Sequence, residues 1–149
     1  MSIFNSFNIN SSGMTAERFR MDIIAENIAN ANTTRTEDGT PYVRKVVTFQ
    51  EKQSNTPFSR ILHLKTDSYS GKGVRVSTVQ DDTWTQPNMV YDPSHPDADE
   101  NGYVTYPNVN TITEMTNLID ASRGYEANAT AFNASKSIAT QGLQLGQGG

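Results

Sequence analysis

Met115-TNLIDASRGYEANATA-Phe132 decides the fold, because its apolar and small residues recur at alternating steps of three and four. This spacing is that of one face of an amphipathic helix. Just upstream, Thr111 and Glu114 match a capping box, in which a hydroxyl and a glutamate three residues later satisfy free backbone N–H groups. Only Gly124 interrupts the pattern, at a cost of about 1 kcal/mol. The sequence therefore predicts one long helix from Asn110 to about Leu145.

The beginning of the chain has the same periodicity. Its apolar positions, again at steps of three and four, are Phe4, Phe7, Met14, Met21, Ala25 and Ile28. The segment from Asn5 to Gly13 is rich in Asn and Ser, which are poor helix formers, so the helical pattern is strongest from Met14 to Ala31. We therefore predict a first helix from Ile3 to about Asn32.

The middle of the chain loses the helical spacing and shows short β-branched and aromatic runs bounded by turn residues. These runs predict strands at Tyr42 to Phe49, Ile61 to Leu64, Val74 to Val79 and Tyr103 to Tyr106. The stretch from Asn88 to Asn101 contains Pro93 and Pro96, which cannot donate to a strand ladder, and is predicted to be an ordered loop.

Composition limits how much of this chain can bury itself. Of its 149 residues, 35% are hydrophobic, which allows a small core but not a thick one. We predict an α+β fold in which long N- and C-terminal helices pack as a coiled-coil-like hairpin and the middle forms a small β-rich insertion at one end. The predicted units are a terminal helical domain of residues 1–34 and 109–149 and an outer domain of residues 35–108. A two-helix hairpin cannot bury two wide apolar faces, so lateral association is expected.

Several classes of function are disfavoured by the same composition. The net charge is −4 and no basic stripe is present, which argues against a nucleic-acid partner. There are no cysteines, so disulfides, thiol catalysis and cysteine-based zinc sites are excluded. No apolar run approaches the roughly 20 residues that span a bilayer, so direct membrane insertion is not expected. The N-terminus lacks the basic and apolar regions of a cleaved signal peptide.

One motif resembles a metal site. Asp97-Ala-Asp99-Glu-Asn101-Gly102 matches the first half of an EF-hand calcium loop, but position twelve is Asn108 where a bidentate glutamate is required. We interpret these residues as turn formers. The two histidines, His63 and His95, are far apart in sequence and do not make a metal site with it. The sequence therefore predicts no metal, no cofactor and no catalytic residues.

Three segments together resemble a known family. Ala25-ENIANAN-Thr33 is similar to the N-terminal signature of the axial proteins of the bacterial flagellum, the family of rod, hook and hook-associated proteins. The segment from Met115 to Asn133 resembles the C-terminal helix of the same family. Tyr91-DPSHPDADENGYVTYPNV-Asn110, together with the short chain, is similar to the proximal rod members.

The resemblance implies a structural role and not an enzyme. It implies that the paired terminal helices form an inner layer around the export channel, and that the β-rich middle forms an outer domain. It also implies unfolded export by the flagellar type III apparatus without a cleaved signal, and assembly with itself and other rod proteins into a torque-transmitting helical shaft in the periplasm.

Candidate assembly or register residues are expected on both terminal segments. A buried asparagine inside a periodic stretch fixes register because its amide must be paired, which singles out Asn27. The full set is Asn27, Asn30, Thr33, Met115, Arg123, Tyr125, Asn128 and Phe132. Competing interpretations are a secreted or periplasmic binding module with helical oligomerisation ends, a metal-dependent enzyme using His95, Asp97 or Asp99, and a cytoplasmic coiled-coil adaptor.

Overall fold

The computed structural model describes residues 3–52 and 71–147. In chain order they form α1 (Ile3–Ala29), β1 (Lys45–Glu51), β2 (Val74–Asp81), β3 (Asn88–Tyr91), β4 (Tyr103–Tyr106) and α2 (Thr111–Gln147). The predicted α+β fold, with long terminal helices around a small β-rich middle, is confirmed. Both helices begin and end within a few residues of the predicted bounds, and the weak segment from Asn5 to Gly13 is helical.

The two helices form an antiparallel pair. Near the start of α1, Phe7 lies against Phe132 with ring centroids 5.0 Å apart. Further along, a Cβ on Gly13 would stand 2.6 Å from Oδ1 of Asn128, so the missing side chain is what lets the backbones approach. Ala16 in α1 and Ala121 in α2 are also buried. Small residues at the seam thus set the close packing of the pair.

The second helix is longer than its partner. α1 has 27 residues and α2 has 37, and the contact of Phe7 with Phe132 places about the last ten residues of α2 beyond the start of α1. At 1.5 Å per residue this overhang is about 15 Å long. Its apolar residues Leu143 and Leu145 are 69% and 84% exposed. The helix pair therefore leaves one end of α2 uncovered by α1.

The described residues of the middle of the chain form two antiparallel two-stranded ribbons, β1 with β2 and β3 with β4. A bulge lies between Thr48 and Phe49 in β1. The prediction of a loop from Asn88 to Asn101 is wrong at its start, because β3 pairs there with β4. The prolines that suggested a loop follow β3 and lie in the turn that joins it to β4. The predicted strand at Ile61 to Leu64 lies outside the described residues.

The β1–β2 ribbon lies alongside α1 and not beyond the end of the helix pair, which differs from the expected insertion. At one end, the Val74 amide donates to Oγ of Ser12 at 3.0 Å. At the other end, the Lys45 amide donates to Oδ1 of Asn27 at 2.9 Å. Backbone groups that strand pairing leaves open at the ribbon ends are thereby satisfied by side chains of the helix. Within residues 3–52 and 71–147, neither helix has an apolar stretch able to cross a membrane.

Candidate functional site

A buried polar cluster, here called the junction, joins α1, α2 and the β1–β2 ribbon. Its central residue is Asn27, whose side chain is fully buried. The Asn27 amide nitrogen donates to the Lys45 carbonyl at 2.9 Å and to Oε2 of Glu114 at 3.1 Å. Its Oδ1 accepts from the Tyr42 hydroxyl and from the Lys45 amide, both at 2.9 Å. All four hydrogen-bonding positions of the amide are thus used inside one chain.

Glu114 brings the negative charge of the junction. It is 1% exposed, and its Oε1 accepts from Nε and Nη2 of Arg44 at 2.9 and 2.7 Å. Asn117 donates to the same oxygen at 3.1 Å. A buried carboxylate is tolerated only when it is paired and hydrogen-bonded, and Glu114 meets both conditions.

The predicted capping box is therefore wrong. The N-cap of α2 is Asn110, whose Oδ1 accepts from the amides of Ile112 and Thr113 at 3.0 and 3.1 Å. Glu114 points into the junction instead of back toward the helix start. Asparagine is as good an N-cap as threonine, so the sequence contained this alternative.

Arg44 also reaches the turn that follows β2. Its Nη1 lies 3.2 Å from Oδ2 of Asp82, and its backbone amide donates to Oδ1 of Asn108 at 2.8 Å. Burial acts to raise the pKa of Asp82, but hydrogen bonds from Thr85, the Trp84 amide and Arg44 outweigh it and hold the pKa below its usual value. The Arg44 pKa is raised overall, because its bonds to Glu114 and Asp82 outweigh the burial that lowers it.

Tyr42 closes the junction on the side of β1. Burial, together with the nearby charges of Glu26, Asp81 and Glu114, raises the pKa of Tyr42 to about 12. The phenol therefore stays protonated at neutral pH and donates its hydrogen bond to Asn27. The arrangement fixes the geometry between three elements of the chain.

The structure places five of the eight predicted assembly residues in three different settings inside the chain. Asn27 is enclosed within its own chain, so its side chain has no surface to offer a neighbour. Asn30 and Thr33 bond to each other in the turn after α1, with the Thr33 hydroxyl 3.1 Å from Oδ1 of Asn30. Asn128 and Phe132 pack in the contact with α1. These five residues hold the chain together internally.

The remaining three predicted residues face outward from α2. Met115 is 57% exposed, Tyr125 is at the edge of exposure, and Arg123 is exposed. Near Met115, the neighbouring helix positions Ile112 and Ile119 are also exposed, at 76% and 53%. Steps of three and four bring these three apolar side chains onto one face of the helix. They form one exposed apolar area of α2, and the overhang at the other end of the helix forms a second; the two areas are here called the uncovered apolar surface of α2.

The Asp97 to Gly102 motif forms a turn, as interpreted. Oδ1 of Asp99 accepts from the amides of Asn101 and Tyr103, each at 2.8 Å, and Gly102 has a φ of 81°. Asp97 accepts from the Thr34 hydroxyl at 2.8 Å and lies 3.3 Å from Nε of Arg35. Among the described residues, no three His, Asp or Glu side chains converge as metal ligands. His63 lies outside the described residues.

Sequence reasoning missed Tyr42, Arg44 and Asp82 as junction residues. Arg44 bonds to Glu114, which is 70 positions away in the chain. A single arginine among β-branched residues at the start of a strand is the one available signal, and it does not name a partner.

Comparison with known proteins places both ends of the chain in flagellar families. Residues 7–35 match the flagella basal body rod protein model, and residues 100–145 match the model of the flagellar basal body rod FlgEFG protein C-terminal region. The flagellar basal-body rod protein FlgC of Borreliella burgdorferi is 43% identical over 99% of this chain and 100% of its own length. FlgC of Bacillus subtilis is 41% identical and FlgC of Salmonella typhimurium 37% identical, with the same coverage. The chain belongs to the FlgC family of flagellar basal-body rod proteins.

Proposed function

We propose that this chain is a structural, non-enzymatic subunit of the proximal rod of the bacterial flagellar basal body. The observation that carries the proposal is identity along the whole chain to proteins named flagellar basal-body rod protein FlgC. The same relatives do not favour a secreted binding module. The uncovered apolar surface of α2 supports a role in assembly, because large exposed apolar patches mark sites that a partner covers.

In this proposal the rod is built by repeated head-to-tail contacts, which give an open helical tube when the rotation does not close. Residues 1–34 and 109–149 form the inner, axial unit that encloses the export channel, and residues 35–108 form the outer unit. The junction joins the two units. Because its bonds run from Asn27 and Glu114 to Lys45 and Arg44, torque applied to one unit is passed to the other without a flexible hinge.

The proposal divides the candidate residues by where they lie. Met115, Arg123 and Tyr125 contact neighbouring subunits, whereas Asn27, Asn30, Thr33, Asn128 and Phe132 set the shape of each subunit. Partners are further copies of the chain and other rod proteins. The flagellar type III apparatus exports the chain through the cell envelope without cleavage of a signal, and the rod lies in the periplasm.

Deletion of the gene with electron microscopy of isolated basal bodies tests the proposal. The expected result is loss of motility and basal bodies that stop before the distal rod, with both restored by the wild-type chain. Intact basal bodies with a full rod in the deletion strain contradict the proposed function.

A surface variant tests the assigned contacts separately. Tyr125→Ala is expected to leave the free energy of unfolding of the purified chain within about 1 kcal/mol of wild type, because the side chain is more than a third exposed. It is nevertheless expected to block rod assembly. The exposed Thr130→Ala on the same helix serves as the control. Normal rods in Tyr125→Ala contradict the contact but leave the proposed function standing.

A further inference from the structure

Trp84 is the most exposed large hydrophobic side chain of the described residues, at 93%. It lies in the turn after β2, and this turn is rigidly held. Oδ1 of Asp82 accepts from the amides of Trp84 and Thr85 at 3.1 and 3.2 Å, and the Asn108 amide nitrogen donates to the carbonyls of Asp82 and Thr85. An indole presented on an ordered turn loses little conformational freedom when a partner covers it, which is the property of an interface anchor.

An open cleft lies at the far end of the same ribbon, between α1 and β2. It has a volume of about 450 Å³, and its walls combine the apolar side chains of Ala16, Phe19, Val74 and Val76 with a polar and charged rim of Asn8, Ser11, Ser12, Thr15, Lys52 and Arg75. Phe19 is 38% exposed there. An enclosed cavity of about 150 Å³ holds benzene, so an open cleft of about 450 Å³ has the volume to receive an indole ring. We call it the Phe19 cavity.

Charge also matches between the two sites. Lys52 and Arg75 line the Phe19 cavity, and both side chains are exposed. Cations within about 6 Å of an indole face attract it, and indole is the best of the aromatic rings for this contact. Asp81, beside the Trp84 turn, is exposed and carries the opposite sign. Complementary potentials of this kind set the orientation of a contact.

The two sites are too far apart to meet within one chain. β2 runs on for five positions from Val76 to Asp81, which is about 17 Å at about 3.3 Å per residue, and Trp84 lies in the turn beyond that end. A second copy displaced by at least this distance along the ribbon brings its Trp84 to the Phe19 cavity of the first. Trp84 and the Phe19 cavity are different surfaces of the same chain. A pair of copies therefore leaves one Trp84 and one Phe19 cavity unoccupied, and further copies can add at both ends.

We propose that Trp84 of one copy inserts into the Phe19 cavity of the next copy, forming a head-to-tail contact between like subunits. The inference rests on the proposed function only in that a rod brings several copies of the chain side by side. The occupant is a second copy of this chain, because the cavity and the anchor that fits it are both present on it, with opposite charges at their rims.

Cysteine crosslinking tests the contact directly, because the chain has no cysteine of its own. Thr83→Cys, next to the anchor, is combined with Thr15→Cys, an exposed residue that lines the cavity. Basal bodies from cells that carry only this variant are mildly oxidised and separated by mass. The expected result is a ladder of linked copies beyond the dimer. Thr83→Cys with Thr130→Cys is the matched control, since Thr15 and Thr130 are both exposed and bond the carbonyl four residues back.

The ladder is expected to fall at least tenfold when Trp84→Ala is added to the crosslinking pair. A ladder unchanged by Trp84→Ala, equal yield in the Thr130 control, no ladder, or a link only to a different protein each contradicts the proposal. If rods form normally in Trp84→Ala while the deletion strain has none, the contact is refuted and the proposed function stands.

A measurement on the purified chain covers the case in which the variants fail to assemble. Trp84 is the single tryptophan, so its fluorescence reports only on this side chain. With rising wild-type concentration, the emission maximum is expected to shift to shorter wavelength as copies associate in a sedimentation experiment. Thr15→Arg should abolish the shift and Thr130→Arg should not. A chain that stays monomeric at millimolar concentration, or that associates without a shift, contradicts the proposal.

Discussion

Replacing Asn27 by leucine tests whether the junction holds the ribbon to the helix pair. The substitution keeps a side chain of similar size and leaves four groups without their partner, on Lys45, Tyr42 and Glu114. Glu114 retains Arg44 and Asn117, and a carbonyl such as that of Lys45, which has two lone pairs, tolerates a lost hydrogen bond better than an N–H or O–H donor does. The amide of Lys45 and the hydroxyl of Tyr42 are the two donors that lose their hydrogen-bond acceptor, Oδ1 of Asn27.

The expected loss in the free energy of unfolding follows from these two donors. Leaving a buried donor unsatisfied costs about 1–3 kcal/mol, so the pair costs about 2–6 kcal/mol. The additional apolar surface of leucine returns about 1–2 kcal/mol. We therefore expect the free energy of unfolding to fall by about 3 kcal/mol, which is a large part of the total stability of a domain.

Urea unfolding of the purified chain, followed by circular dichroism, measures this loss. With a slope near 2 kcal/mol per molar urea, the midpoint is expected to fall by about 1.5 M. Asn117→Leu is the control, because Asn117 is half-buried and has one bond to the same carboxylate; it should cost about 1 kcal/mol. An Asn27→Leu protein within 1 kcal/mol of wild type refutes the reasoning.

Three further outcomes are expected from the glycines and the titratable groups. Gly73→Ala should lower the free energy of unfolding in urea titrations by at least 2 kcal/mol more than Gly39→Ala does. Both glycines have a positive φ, but of the two only Gly73 has a neighbour where a Cβ would stand, 2.1 Å from Oγ of Ser12. Equal losses would show that the contact is irrelevant. Because the pKa of Tyr42 is raised to about 12, its contribution is complete below about pH 10 and is lost as pH rises toward 12. Alkaline unfolding should therefore be shallower in Tyr42→Phe, and an unchanged profile contradicts this. Because the pKa of Asp82 is lowered, its contribution to the free energy of unfolding is present above about pH 4 and is lost on acidification. Asp82→Asn should therefore lose less stability than wild type between about pH 5 and 3. Equal losses in the two proteins would contradict this assignment.

The helices could be predicted from sequence because their signal is local and long. Steps of three and four persist through Met115–Phe132, and only the helical period explains them. The strand β3 escaped prediction because it has four residues and its pairing with β4 is decided by a turn of Asp and Gly residues. Pro93 and Pro96 argue against a strand in the sequence, but they follow β3 and lie outside its ladder with β4.

The junction could be predicted only at Asn27, a polar residue within an apolar periodicity. Its partners Tyr42 and Glu114 lie 15 and 87 positions away. Glu114 was misassigned because the capping-box pattern and a buried ion pair with Arg44 both place a glutamate near a helix start. Only the three-dimensional position of β1 decides between them, and that position depends on contacts which no local pattern encodes.

The central claim is that α2 carries an apolar surface which other subunits cover in the rod. Maleimide labelling of Leu143→Cys in the overhang measures this coverage, with Glu100→Cys at the β3–β4 turn as the exposed control. We expect fast labelling of both sites in the monomer and at least tenfold slower labelling of Leu143→Cys alone in isolated basal bodies. Equal labelling rates at Leu143→Cys in monomer and basal body would contradict it.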